Sequence, residues 1–129
     1  PLAQRGEHGG VRLLSADHVT KMSEVSVSTG VDATLLIPTR FALGFMRSMD
    51  NRHREHGYME SVIIGRQAFG HVGAGGRIGF ADPECGLAFG YSMSQMGAGL
   101  LLNERGQAVV DAAYRCIGYR TDAPGAWVQ

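Results

Sequence analysis

Lysine is nearly missing: of the twelve basic residues eleven are arginine, and Lys21 stands alone. Any motif that requires a lysine therefore has a single place to sit. Cysteine is scarce too. Cys85 and Cys116 are too few for a disulfide framework and lack the C-x-x-C spacing of a structural zinc site. No apolar stretch approaches the roughly 20 residues that span a bilayer, and the opening PLAQRGEHGG lacks the basic-then-apolar layout of a signal peptide. The chain as given reads as soluble, with its compartment open. An excess of one charge is also absent, since twelve Lys and Arg balance twelve Asp and Glu. Without an overall positive field, a nucleic-acid partner is not expected. Internal repeats at solenoid periods are absent as well.

What is present is enough apolar material for one core, 44% hydrophobic residues in 129, and an excess of glycine, 19 residues. The opening reads as the tail of a helix stopped by Gly9 and Gly10. Ser15 then caps a helix over Ala16 to Glu24, with Asp17 in its first turn. Phe41 to Arg47 alternates large and mostly small residues and reads as one strand buried on both faces. Asp50 to Arg66 is a charged loop or hairpin excursion. Three more strands follow: Gln67 to His71, Arg77 to Ala81, and Leu87 to Met93 returning after the turn Asp82 to Gly86. A last helix, Glu104 to Ile117, is capped by Asn103, with Val109, Ala112, Ala113, Cys116 and Ile117 on its contact side and the small face of the preceding strand as its seat. The tail from Tyr119 to Gln129 reads as irregular. The expected class is α+β, an antiparallel sheet with packed helices.

The most informative stretch is FGHVGAGGRIGFADPECGLAFGYSM, a strand, a histidine, a glycine cluster and a hairpin. Glycine clusters cradle phosphates where a strand feeds a helix N-terminus, but here a strand follows. Walker A would need Lys where Arg77 stands, and the dinucleotide pattern fails at Ile78. No nucleotide cofactor and no metal are expected. His53 and His56 form no H-E-x-x-H pattern and read as a solvated loop. Cys85 reads as a surface thiol, Cys116 as a small core residue and the scattered methionines as core filler.

From about Leu13 to Ile117, most closely between Phe69 and Met93, the chain resembles the β-lactamase-related serine hydrolases, which include class C β-lactamases, penicillin-binding proteins and related esterases. Their third motif, K-T-G or H-x-G, is matched by His71-Val72-Gly73 and extends into His-x-Gly-x-Gly-Gly and Phe80-Ala81-Asp82-Pro83. The resemblance implies that His71 replaces the motif lysine in orienting substrate, that Gly73 keeps the site wall open, and that Ala74 supplies one backbone N–H to an oxyanion hole. Gly75 and Gly76 would border the substrate, a small ester or amide. A histidine is only partly protonated near neutrality, which favours esterase chemistry over anchoring a carboxylate.

The family's other motifs are absent. S-x-x-K fails because His18 stands three residues before Lys21, and no Asn follows a Tyr or Ser by two. Ser92 and Ser94 have no base evident in the sequence. Residues 1–129 accordingly read as the C-terminal part of a single β-lactamase-like domain whose nucleophile lies upstream, the fragment alone being inert. The alternative is a truncated, noncatalytic binding or assembly module. The resemblance also implies that strands from the missing N-terminal end would lie beside Leu87 to Met93, so this strand, free of charge and proline, is expected to be an exposed edge through which the chain self-associates.

Overall fold

The computed structural model covers Pro1–Gln129 and is α+β, with a two-stranded sheet, a six-stranded antiparallel sheet and two α-helices. The first ten residues are no helix tail. After a short 3-10 turn, Leu2–Gln4, strands β1 (Glu7–His8) and β2 (Val11–Arg12) form a hairpin. Gly9 and Gly10 both have positive φ, 58° and 80°, the conformation that a two-residue hairpin turn demands at both central positions. Two adjacent glycines thus turn a ribbon here instead of ending a helix. Helix α1 (Ala16–Ser23) follows as expected, with the Ser15 side chain accepting from the His18 N–H.

The main sheet begins with β3 (Val27–Thr29) and β4 (Thr39–Phe41). Phe41 to Arg47 is not one strand. It is β4, a tight turn and β5 (Met46–Arg47), closed by Ala42 N–H donating to Phe45 O at 2.8 Å and by Gly44 at φ 78°. Leu43 sits at the turn and is 61% exposed. The excursion after Asp50 returns through an antiparallel bridge between Met49 and Val62 and contains a 3-10 turn, Gly57–Glu60. Strands β6 (Phe69–Gly73), β7 (Arg77–Asp82) and β8 (Leu87–Tyr91) then complete a sheet in which each strand pairs with the next in sequence. Helix α2 (Glu104–Cys116) is capped by Asn103, whose side chain accepts from the Gly106 N–H.

The helix faces differ from expectation. Gly106, Val110 and Tyr114, spaced by four, form the buried stripe of α2, while Val109, Cys116 and Ile117 are exposed. The seat is the face of large residues: Tyr114 stacks on Phe80 with ring centroids 5.8 Å apart, and Phe80 stacks on Phe89 at 5.3 Å. Gly106 permits the contact, because a Cβ there would stand 2.4 Å from Gly76 O. The irregular tail closes the same core. Trp127 is buried, donates from its backbone N–H to Ile64 O and from Nε1 to Asp111, and stacks on Tyr114. Cys85 rather than Cys116 packs against this cluster. Met46 and Met49 fill the core, but Met96 is exposed. On the opposite face of the sheet, Phe69 and Ala81 pack with Ala3 and Val19 in a smaller cluster.

Candidate active site

Alternation along β6 places Val72 against the α2 side and sends Phe69, His71 and Gly73 to the other face. His71 is exposed there, its Nδ1 within 2.7 Å of Val72 O and its ring tilted towards Phe41 at 6.3 Å. In register, His71 faces Gly79, which faces Gly90 on β8. A Cβ at either glycine would meet nothing within 4 Å. The result is a lane of bare backbone running across the sheet from the histidine. At its histidine end, His71 and Gly79 line an open depression of about 300 Å3 together with Gly73, Arg77 and Tyr91.

β6 and β7 are joined by Ala74, Gly75 and Gly76, and the backbone donors of this turn divide sharply. Gly75 N–H donates to Gly99 O at 3.0 Å, and Gly76 N–H to Gly73 O at 3.2 Å. Ala74 N–H has no acceptor within the chain. Gly75 and Gly76 are buried and adopt positive φ, 86° and 97°. Behind them stands Asn103: its Nδ2 donates to Gly75 O at 2.8 Å, and a Cβ on Gly76 would reach within 2.3 Å of its Oδ1. One buried side chain therefore caps α2 and fixes the glycine turn, holding the free donor of Ala74 in place.

The far end of β7 is held by a group that composition alone assigns to a turn. Asp82 is fully buried, accepts from Tyr114 Oη at 2.8 Å and from Glu84 N–H at 3.0 Å. Tyr114 Oη in turn accepts from Gly65 N–H at 2.7 Å. Burial, then the Asp82 carboxylate beside it, pushes the Tyr114 hydroxyl well above the ordinary tyrosine range. These are positioning residues. No sequence signal marks Tyr114 as Asp82's partner, and the Asn103 clamp is legible only as a helix cap.

No serine or cysteine side chain hydrogen-bonds to a histidine ring, and Lys21 makes no side-chain hydrogen bond or ion pair. Ser48 and Ser61 are buried and bonded to backbone. The chain thus presents a donor, a histidine and an open wall, but no activated nucleophile.

No family model matches the chain. It is 35% identical over 103 residues to the esterase/beta-lactamase LipL of Mycobacterium tuberculosis, a match covering 80% of this chain and 21% of that protein. A family VIII carboxylesterase of known structure aligns with a TM-score of 0.72 at 32% identity, over 89% of this chain and 28% of that one. A penicillin-binding protein homologue from Caulobacter crescentus gives a TM-score of 0.70 at 28% identity, over 88% of this chain and 28% of that one. By sequence and by fold, the homologues of this chain are therefore β-lactamase-related esterases and penicillin-binding protein relatives, and it corresponds to roughly a quarter of such a molecule.

Proposed function

We propose that residues 1–129 are the C-terminal part of a single β-lactamase-like domain and supply one wall of its active site, in a serine hydrolase that cleaves small esters or amides by acyl transfer. The nucleophilic serine and its base come from the remainder of the protein. The unpaired N–H of Ala74 carries the reading: in a turn whose other donors are consumed internally, it is the one group free to stabilise a developing oxyanion. His71 orients the substrate or its leaving group from the adjacent strand. Gly73 keeps the wall low, and Gly75 and Gly76 border the substrate through the shape they give the turn.

In the full-length protein, His71→Ala should lower kcat/KM for p-nitrophenyl acetate about 100-fold, the scale of a lost acid–base or orienting group. Covalent labelling of the serine by a fluorophosphonate should persist in that variant. An unchanged rate would make His71 structural, and a wild-type protein that neither labels nor hydrolyses would end the acyl-transfer reading.

The isolated chain self-associates in the same proposal. β8 is the last strand of the sheet, so one edge of Leu87–Tyr91 has no partner strand, and it carries neither charge nor proline. Two copies related by a two-fold axis can pair these edges antiparallel. No helix is long and apolar enough to cross a membrane.

A further inference from the structure

The connection between β8 and α2 closes over the glycine turn. Gly75 is gripped through both of its backbone groups: its N–H donates to Gly99 O at 3.0 Å, and its O accepts from Gly97 N–H at 3.1 Å and from Asn103 Nδ2 at 2.8 Å. Asn103 Nδ2 also donates to Ala98 O at 3.3 Å, and Arg105 donates to Gln95 O at 3.2 Å. Residues 95–99 thus form a clasp on the turn that carries the free Ala74 N–H. The clasp contains no helix or strand and lies in water, every residue from Ser94 to Leu100 being exposed except the half-buried Gly97.

Met96 is the side chain that this clasp lays on the turn. A Cβ on Gly75 would stand 3.0 Å from Met96 Cγ and 3.1 Å from its Cβ, so the methionine stem covers Gly75 at close contact. Yet Met96 is 63% exposed, the most of the six methionines, while Met46 and Met49 are sealed in the core. Met59, at 39%, is the next most exposed. A thioether in water is open to two-electron oxidation, and the sulfoxide exchanges a flexible apolar tip for a polar one. In Met96 the sulfur is bonded to the carbon that packs on Gly75, and the next residue along the chain supplies the N–H donor to Gly75 O.

We propose that Met96 is an oxidation site through which a peroxide loosens the turn bearing the oxyanion donor, a control that rests on the acyl-transfer reading above. With hydrogen peroxide, the sulfur lone pair attacks one oxygen, an S–O bond forms as the O–O bond breaks, and the released hydroxide takes the proton of the new S–OH to leave as water. Sulfur loses two electrons and the peroxide gains them. The sulfoxide oxygen then competes with Gly75 O for the Gly97 N–H, and the donor at Ala74 loses its fixed aim. In the full-length protein treated with hydrogen peroxide, peptide mass spectrometry should find Met96 sulfoxide ahead of every other methionine sulfoxide. In step with it, kcat for p-nitrophenyl acetate should fall about tenfold with KM held within about twofold, since a misplaced donor weakens the transition state and not substrate binding. Methionine sulfoxide reductases of both epimer specificities should restore the rate. Met96→Leu should keep its own rate through the same treatment, whereas Met59→Leu should lose it as the wild type does. Met96 left unoxidised, complete Met96 oxidation with kcat unchanged, or a Met96→Leu protein as sensitive as the wild type would each overturn the control. A second readout needs no turnover: in protein labelled with 15N-glycine, oxidation should shift the Gly75 and Gly97 amide resonances, and the reductases should return them. Absence of these shifts removes the coupling even in an active esterase. Shifts in a protein that hydrolyses no ester keep the coupling and remove the acyl-transfer reading.

Discussion

Tyr114 does more than fill space. Its ring lies between Phe80 and Trp127, and its hydroxyl links the Gly65 N–H to the Asp82 carboxylate. Tyr114→Phe would keep the stacking and leave one buried donor and one buried acceptor short of a partner, which costs about 2 to 3 kcal/mol. The urea midpoint should fall accordingly with the m-value unchanged. Gly65 explains itself by the same contact, because a Cβ there would come within 1.9 Å of Asp82 Oδ2. None of this is legible in sequence. Asp82 precedes a proline and reads as a turn residue, and its hydrogen-bond partner lies 32 residues away, beyond the reach of local pattern. His71 and Ala74 are different: their signal is a local motif, His71 lying on β6 and Ala74 in the turn that follows it.

Elements show the same division between local and distant causes. The β7–β8 hairpin and both helix caps follow from nearby residues, and each lies within a residue or two of where the sequence places it. The split of Phe41–Arg47 does not, because alternation of large and small residues also suits two strand ends flanking a turn, and Gly44 decides between them only through its φ. The facing of α2 fails for a related reason. Several apolar stripes fit the segment, and the buried one is chosen by the close approach at Gly106 and by aromatic stacking at Tyr114. Substitution separates the two stripes cleanly: Val110→Ala should cost about 2 kcal/mol as a core truncation, whereas Val109→Ala, on the exposed side, should stay within about 0.5 kcal/mol. The edge of β8 is a further test at this scale. Gly90 is exposed with open space above it, so Gly90→Lys adds a charge to the edge strand without a clash. Sedimentation of residues 1–129 over a concentration series should show a dimer for the native chain and a shift towards monomer for the variant. A native chain that stays monomeric at high concentration would remove the paired-edge proposal.

For the molecule as a whole, the buried acids set how stability responds to pH. Tyr114, Tyr119 and Cys85 all have their proton affinities raised, in each case first by burial. Tyr114 and Cys85 lie close to the Asp82 carboxylate, which opposes a second negative charge beside it. A group whose pKa is raised by folding leaves stability intact below its unfolded value and removes it above, because the unfolded chain then releases a proton that the native state retains. The relevant unfolded values are 9.0 for cysteine and 10.0 for tyrosine, so the loss begins near pH 9 and steepens past 10. For Tyr114, the most deeply held, the slope is about 1.4 kcal/mol per pH unit. The acidic side behaves in the opposite sense: hydrogen bonding to Arg52 lowers the Asp50 carboxyl, so its contribution is present above 3.8 and is lost as the pH falls further. Thermal unfolding followed from pH 6 to 11 should therefore give a Tm that is flat to about 9 and then drops. Tyr114→Phe should start from a lower Tm but fall less steeply, by the share of one proton, since the group that carries that linkage is gone. Parallel curves for the two proteins above pH 10 would show that the Tyr114 hydroxyl ionises as readily in the fold as outside it, and that the Gly65–Tyr114–Asp82 chain is not closed in solution.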